Sequence, residues 1–272
     1  MERESGFART GNADLYYEMA GEGQPVVLIH AGVADSRQWN HEFAGFAEDF
    51  QVLRYDLRGH GRSIPAAGEF RHMDDLIALL EQRGFDSPVV LIGCSMSGRM
   101  ALDFALAHPT RVKALVMLGA GPSGFQADFD EDPREAEAEK AFDAGHLDRA
   151  AELEAQIWFD GAGRTAEQVD QPMRELALEM NRLALTHAAA QLGKRLADEV
   201  TPAVERLGDL KVPLLVVTGA HDLPYFHAAA DHLVEQVPTA QKVVLENAAH
   251  LANMDQPEQF QSTVRSFLAE LR

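Results

Sequence analysis

Two serines that could act as nucleophiles lie in the segment IGCSMSGRM (92–100). Ser95 follows a short apolar run and precedes a helical pattern, which predicts a turn between a strand and a helix. A serine on such a turn projects into the crevice above the sheet, where the N–H groups of the next helix favour developing negative charge. Small residues are needed two positions before and after it, and Gly93 and Ser97 occupy them. A nucleophile at Ser97 would place the large Arg99 in the second position, so Ser95 is the candidate.

Six short apolar runs rich in β-branched residues predict the strands that would position this turn. They are PVVLIHAG (25–32), FQVLRYD (50–56), SPVVLIGC (87–94), VKALVMLGA (112–120), VPLLVVTGAHD (212–222) and AQKVVLENAAH (240–250). Continuous apolar runs indicate strands that are covered on both faces, as in a parallel sheet. Helical patterns alternate with them, so the chain is predicted to form a doubly wound, mostly parallel α/β sheet. An antiparallel opening strand is predicted in ADLYYEMAG (13–21).

Residues 122–206 break this rhythm, because they lack strand-like runs and are rich in Ala, Glu and Gln. Their patterns predict helices throughout, the last of them over 165–200. A helical insertion between two strands of a parallel sheet is expected to cover the carboxyl edge, where open α/β sheets bind ligands. We therefore predict a core of residues 1–121 and 207–272, with a helical cap or lid over 122–206 inserted after the sixth strand.

The segment around Ser95 resembles the G-x-S-x-G nucleophile elbow of the α/β-hydrolase superfamily, with Ser97 in place of the second glycine and Gly98 just behind it. In that fold the catalytic triad follows the chain order Ser, acid, His. The resemblance implies Asp222 in GAHD as the acid and His250 in NAAHLANMDQPEQF as the base. A serine hydroxyl needs such a base, and the base needs an orienting acid. A serine-rich helix cap without chemistry is the alternative, and the presence of all three pieces in order disfavours it.

The resemblance also implies an oxyanion hole built from backbone N–H groups. Met96, which follows the elbow, would supply one donor, and the loop HAGVADSRQW (30–39) would supply the second. Gly32 is the expected second donor, and Val33, one residue further on, is the alternative. The histidine that begins this loop and the turn YDLRGHGRS (55–63) are expected to be scaffold.

The composition argues against several classes of function. A formal net charge of −19, from 24 Lys and Arg against 43 Asp and Glu, disfavours binding to nucleic acid and to anionic membranes. The single cysteine, Cys94, excludes an internal disulfide, and no apolar run approaches the ~20 residues of a membrane span. A cytoplasmic protein is therefore expected. The sequence contains no H-E-x-x-H motif, cysteine pair or G-x-G-x-x-G loop, so no metal or cofactor is expected.

Within the superfamily, the serine elbow and the start LYYEMAGEGQPVVLIHAG (15–32) look most like small esterases and lactonases, including 3-oxoadipate enol-lactonase-like proteins and their carboxylesterase relatives. The resemblance implies hydrolysis of small-to-medium carboxylic esters or lactones through an acyl-enzyme on Ser95. Val33, Phe125 and Trp158 are expected to line the substrate pocket, and no arginine clamp for a substrate carboxylate is evident. C–C hydrolases, cofactor-free perhydrolases and slow-turnover signalling receptors of the same fold stay open as alternatives. The protein is expected to be a monomer or a homodimer.

Overall fold

The computed structural model describes residues 3–129, 132–198 and 200–271. Within these ranges, an eight-stranded sheet forms the centre and a two-stranded ribbon lies apart from it. The strands are β1 (Arg3–Thr10), β2 (Ala13–Ala20), β3 (Pro25–Ile29), β4 (Gln51–Tyr55), β5 (Glu69–Phe70), β6 (Val89–Cys94), β7 (Val112–Leu118), β8 (Lys194–Arg195), β9 (Leu214–Gly219) and β10 (Ala240–Leu245). The helices are α1 (Asn40–Phe46), α2 (His72–Gln82), α3 (Met96–Ala107), α4 (Pro133–Asp143), α5 (Leu147–Ala155), α6 (Gln171–Ala189), α7 (Pro224–Gln236), α8 (Ala252–Asp255) and α9 (Pro257–Ala269).

The strands of the main sheet follow the order β1-β2-β4-β3-β6-β7-β9-β10. Six strands run parallel to one another, namely β4, β3, β6, β7, β9 and β10, whereas β1 and β2 are antiparallel to their neighbours. All six apolar runs form parallel strands, so the predicted fold class is confirmed. The edge strand β1 is an addition to the predicted set. Only Ala8 and Thr10 are buried in it, so no apolar run marks it in the sequence.

The central parallel strands β3, β6 and β9 are buried along their whole length. Successive side chains of a strand point to opposite sides, so each of these strands is covered on both faces. In β3, Val27 and Ile29 lie in one apolar cluster together with residues of α2, α3 and α7. Val26 and Leu28 lie in a second cluster, with residues of α1 and α9. This double cover explains why the strand segments are continuously apolar rather than alternating.

The insertion between β7 and β9 contains the helices α4, α5 and α6, which pack on one another. Arg174 of α6 forms ion pairs with Asp160 at 2.8 Å and with Glu152 at 2.7 Å. A π-helical turn over Gln156–Asp160 continues α5. Such turns are rare and occur frequently at functional sites.

The expectation that this insertion is helical throughout is wrong at its carboxyl end. Helix α6 stops at Ala189, and β8 then pairs in parallel with β5. Gly193 adopts a φ of 77°, and a Cβ at this position would lie 2.5 Å from the carbonyl oxygen of Ala66. The helix therefore cannot continue past Gly193, because the backbone there takes a left-handed conformation that only glycine adopts at low cost.

Ion pairs join the insertion to the sheet-bearing part of the chain. Arg37 contacts Glu179 of α6 at 2.5 Å, and Arg164 contacts Asp255 of α8 at 2.8 Å. The second pair is nearly buried on both sides, so it holds the two parts together more firmly than an exposed pair would. No helix in the described ranges is both long enough and apolar enough to cross a membrane.

Candidate active site

Ser95 occupies the junction between β6, which ends at Cys94, and α3, which begins at Met96. Its φ of 57° and ψ of −120° are unusual for a residue with a side chain, and such strain persists only where the surroundings enforce it. The Ser95 N–H donates to the Leu118 carbonyl at 2.8 Å, which ties the turn to the end of β7. The serine is half-buried. This geometry is that of a nucleophile elbow at the carboxyl end of a central strand.

Close backbone contacts on either side of Ser95 require small residues. A Cβ on Gly93 would lie 2.5 Å from the Ser97 carbonyl oxygen, and a Cβ on Gly98 would lie 2.6 Å from the Ala120 Cβ. The buried hydroxyl of Ser97 donates to the His30 carbonyl at 2.6 Å. Ser97 therefore fills the usual glycine position with a satisfied hydrogen bond, and Gly98 provides the close contact between helix and strand.

Asp222 and His250 are brought together on the loops that follow β9 and β10. Both carboxylate oxygens of Asp222 lie 3.0 Å from Nδ1 of His250, and both side chains are buried. Asp222 Oδ1 also accepts a hydrogen bond from the Leu223 N–H at 2.8 Å. An Nδ1–H that donates to this carboxylate leaves Nε2 as the basic nitrogen of the ring.

The histidine loop lies against the elbow through the ends of β6 and β7. Gly119, directly after Leu118, has a φ of 53°, and a Cβ there would lie 2.9 Å from His250 Nδ1. The Cys94 Sγ lies 4.0 Å from the His250 carbonyl oxygen. The Ser95 hydroxyl and His250 form no direct hydrogen bond within the described residues, a contact that in many enzymes tightens only when substrate binds.

Two aromatic side chains flank the His250 imidazole. The ring centroid of Trp158 lies 4.8 Å from that of His250, and the centroid of Phe226 lies 4.4 Å from it. Trp158 was among the expected pocket residues, but Phe226 was not. The sequence contains a signal for Phe226, the aromatic pair Tyr-Phe shortly after Asp222 in DLPYF (222–226). Its meaning depends on the start of α7 at Pro224, which places Phe226 in the first turn of that helix.

The segments that carry the expected oxyanion donors lie against each other. Met96 is the first residue of α3, so its N–H has no acceptor within the helix. A Cβ on Gly32 would lie 3.8 Å from Met96 Cε, which places the two segments in contact. Within the described residues, the N–H groups of both Gly32 and Val33 lack a hydrogen-bond acceptor, whereas Ala31 N–H donates to Gln38 at 2.9 Å. Both alternatives for the second donor therefore stay open.

Two histidines, the buried His30 and the half-buried His60, hold the loop that carries Gly32 and Val33. His30 Nε2 accepts from the Leu57 N–H at 2.9 Å, so its Nδ1 donates to the Ala31 carbonyl at 2.7 Å. His60 Nε2 donates to the Gly32 carbonyl at 3.0 Å. Burial lowers the pKa of each ring to about 4, so both are neutral at pH 7. A hydrogen bond to the carbonyl of Gly32 restricts the orientation of the neighbouring N–H groups.

Two cavities flank the elbow. The first, here called the oxyanion-side cavity, has a volume of about 380 Å³ and is bordered by Gly32, Val33 and Met96. The second, the aromatic cavity, has a volume of about 780 Å³ and includes Phe125, Trp158 and Phe226. The three expected pocket residues are thus divided between the two cavities. Val33 borders the first cavity together with Gly32, whereas Phe125 and Trp158 border the second, on the His250 side.

Comparison with known proteins identifies the family. A family model described as alpha/beta hydrolase fold matches residues 24–257. The chain is 30% identical over 260 residues to the pimeloyl-[acyl-carrier protein] methyl ester esterase of Aeromonas hydrophila, an alignment that covers 92% of this chain and 98% of the esterase. It is 26% identical over 263 residues to the (E)-2-((N-methylformamido)methylene)succinate hydrolase of Acinetobacter baylyi, with 95% of each chain covered.

A solved structure shows the same fold. The enol-lactonase from Burkholderia xenovorans LB400 has a TM-score of 0.77 to this chain at 22% sequence identity, with 97% of this chain and 100% of the lactonase covered. At this identity the likeness concerns the fold alone. Since a family model spans most of the residues and the sheet order and elbow agree with it, the chain belongs to the α/β hydrolase fold family.

Proposed function

We propose that this protein is a serine hydrolase that cleaves small-to-medium carboxylic esters or lactones through an acyl-enzyme on Ser95. The observation that carries the proposal is the pairing of a strained, half-buried serine with the buried Asp222–His250 hydrogen bond at the same edge of the sheet. The hydrolase names of the curated relatives support it, and so does the lactonase with the same fold. The reaction uses only groups of the chain itself.

The reaction proceeds in two halves. His250 Nε2 accepts the proton of the Ser95 hydroxyl while its oxygen attacks the carbonyl carbon, and the Asp222 carboxylate stabilises the imidazolium that forms. The negative oxygen of the tetrahedral intermediate is held by the Met96 N–H and by the N–H of Gly32 or Val33, each worth roughly 3–4 kcal/mol. The imidazolium then protonates the leaving alcohol oxygen. Water, deprotonated by the same ring, releases the acid and restores Ser95.

The insertion over 122–206 is proposed to act as a cap on this site. It contributes Trp158, which lies against the His250 ring, from the π-helical turn after α5. It also contributes His187, whose ring contacts the Gly59 carbonyl at 3.1 Å beside the oxyanion-side cavity. Because both cavities have walls from the core and from the insertion, a substrate would be enclosed between the two parts.

The test is the hydrolysis of 4-nitrophenyl butyrate by wild-type protein and by Ser95→Ala. We expect kcat to fall by ~10⁴-fold or more in this variant, because no other group can form the acyl-enzyme. The matched control is Ser262→Ala on α9, whose hydroxyl contacts only the Gln259 carbonyl and which should keep wild-type activity. Full activity in Ser95→Ala would refute the proposal.

The time course separates an enzyme from a slow receptor of the same fold. An enzyme releases nitrophenolate steadily over many turnovers. A single burst of nitrophenolate per chain with no further release would favour the slow-turnover receptor.

A further inference from the structure

The oxyanion-side cavity differs in charge from the rest of this acidic protein. Two arginines, Arg58 and Arg195, line it against one carboxyl group, Glu154. Arg58 is neutralised by Asp75, with its Nε at 3.0 Å and its Nη2 at 2.6 Å from the carboxylate oxygens. Glu154 accepts a hydrogen bond from Asn181 at 2.6 Å, and burial raises the pKa of its carboxyl. Arg195 is therefore the cation of this cavity that has no ion-pair partner among the described residues.

The surroundings of Arg195 compensate its charge only in part. Its Nη1 donates to Met96 Sδ at 2.7 Å, which places the guanidinium beside the elbow. The Asp198 carboxylate acts on Arg195 electrostatically, but the two form no ion pair among the described residues. A second guanidinium, that of Arg99 on α3, adds to the positive potential, and it too forms no ion pair within the described ranges. In a chain with 43 carboxylates and 24 cations, two neighbouring arginines without partners mark a local reversal of the field.

The backbone fixes the position of Arg195. Its strand β8 pairs with β5, and Arg195 stands opposite Phe70. The Lys194 N–H donates to the Gly68 carbonyl at 2.8 Å, and the Leu196 N–H donates to the Phe70 carbonyl at 2.8 Å. The exposed guanidinium therefore extends from a segment that is hydrogen-bonded on both sides of it.

We infer that the oxyanion-side cavity binds a carboxylate at the far end of the substrate, and that Arg195 is the residue that pairs with it. This inference rests on the proposed function and names its substrate class, namely esters or lactones that carry a second, ionised carboxyl group. The reacting carbonyl lies at Ser95, and the chain between the two carboxyl carbons lies along the cavity past Met96. A planar guanidinium suits this role because it can donate two parallel hydrogen bonds to a carboxylate.

The test compares two substrates that differ in one charge, 4-nitrophenyl hydrogen adipate and its methyl ester. We expect the wild-type protein to prefer the charged ester, and the ratio of the two kcat/KM values to fall about tenfold in Arg195→Met, a factor appropriate to a partly exposed charge-assisted hydrogen bond. Because Arg195 contacts Met96, its substitution could change the rate for both esters by altering the elbow. Such a change cancels in the ratio of the two kcat/KM values measured with the same variant. Arg195→Lys should keep most of the preference, and the preference should weaken with added KCl.

The matched control is Arg182→Met, an exposed arginine on α6 whose ion-pair partner is Asp148 and which does not line the cavity. In Arg182→Met, the ratio of kcat/KM for the charged ester to kcat/KM for the methyl ester should equal that of wild-type protein. An unchanged ratio in Arg195→Met, or a wild-type preference for the methyl ester, would overturn the inference while leaving the proposed function intact.

Failure of the proposed function gives a different result. If neither ester is hydrolysed in a Ser95-dependent way, the proposed function fails, and calorimetric titration with adipate then decides the inference separately. Binding of adipate to wild-type protein that is lost in Arg195→Met supports the carboxylate site. Absence of binding to wild-type protein contradicts it.

Discussion

Individual residues at this site are held in states that their burial dictates. His30 and His60 are neutral because burial lowers the pKa of each ring to about 4, an effect that outweighs the favourable charges of Asp35 and Asp56. Their rings lie 5.0 Å apart, so protonation of one further opposes protonation of the other. A neutral ring can accept at one nitrogen and donate at the other, and His30 depends on this, because its Nε2 accepts from the Leu57 N–H and its Nδ1 donates to the Ala31 carbonyl.

The pH dependence of stability follows from this lowered pKa. Between pH 6.5 and pH 4 the unfolded chain binds protons at these histidines and the folded chain does not, so the free energy of unfolding decreases as the pH falls. A shift from 6.5 to about 4 corresponds to about 3 kcal/mol for one ring. His60→Asn should therefore lose less stability than wild-type protein between pH 7 and pH 4.

The measurement is urea unfolding of wild-type protein, His60→Asn and the control His146→Asn at both pH values. His146 is exposed, so its substitution should leave the pH dependence as in wild-type protein. The readout is the difference between variants in the change of unfolding free energy from pH 7 to pH 4. Burial raises the pKa of Glu42 to about 8, so this residue changes the stability in the opposite direction, but it does so equally in all three proteins. If His60→Asn and wild-type protein lost the same unfolding free energy between pH 7 and pH 4, the lowered pKa of His60 would be contradicted.

At the scale of elements, the elbow depends on how closely α3 approaches β6 and β7. Gly98 makes this possible, since a Cβ there would lie 2.6 Å from the Ala120 Cβ and 2.9 Å from the Gly93 carbonyl oxygen. Both distances are shorter than van der Waals contact. Helix and strand would have to separate to accept a methyl group, and Ser95 would move with them.

Gly98→Ala should therefore destabilise the protein by about 1–3 kcal/mol, the usual cost of overpacking, even though alanine is the better helix former. The matched control is Gly208→Ala, because a Cβ at Gly208 meets no atom within 4 Å and its φ is not in the left-handed region. That substitution should change the stability by less than about 0.5 kcal/mol. The measurement is the unfolding free energy of both variants in guanidinium chloride. Equal values for Gly98→Ala and Gly208→Ala would contradict the close contact of α3 with Ala120 and Gly93.

At the scale of the whole molecule, buried polar contacts join the helical insertion between β7 and β9 to the rest of the chain. Arg164 donates to the Phe159 carbonyl at 2.8 Å and forms an ion pair with Asp255 at 2.8 Å. Asp255 also accepts from the Ala249 N–H at 2.8 Å, one residue before His250. The pair therefore links the insertion to the loop that holds the candidate base.

Arg164→Met should destabilise the protein by about 3–5 kcal/mol near pH 7.5, because it leaves a buried carboxylate without its partner. Burial already raises the pKa of Asp255, and loss of the arginine raises it further. A carboxyl group whose folded pKa is raised loses stability as the pH rises through that value, so the deficit should be smaller at pH 4.5 than at pH 7.5. The control is Arg149→Met, at an exposed arginine of α5, and a loss of stability that does not depend on pH would contradict this role for Asp255.

The sequence by itself determined the fold class and the positions of the candidate triad along the chain. Continuous apolar runs such as β3 and β6 indicate buried strands. Ser95 and Asp222 each follow a run of this kind, and His250 follows the half-buried edge strand β10. Local patterns contain this information because burial on both faces dictates the composition of a strand. The catalytic roles of these residues stay predictions, which Ser95→Ala tests.

Only the tertiary structure decided which distant residues surround the site. Phe226 lies against His250 because α7 begins directly after Asp222, and Arg195 lies beside Met96 because β8 pairs with β5. Neither contact leaves a local pattern, since each depends on chain segments that are far apart in sequence. The end of α6 was mispredicted for a related reason, because the close approach of Gly193 to Ala66 outweighs the helical preference of the residues around it.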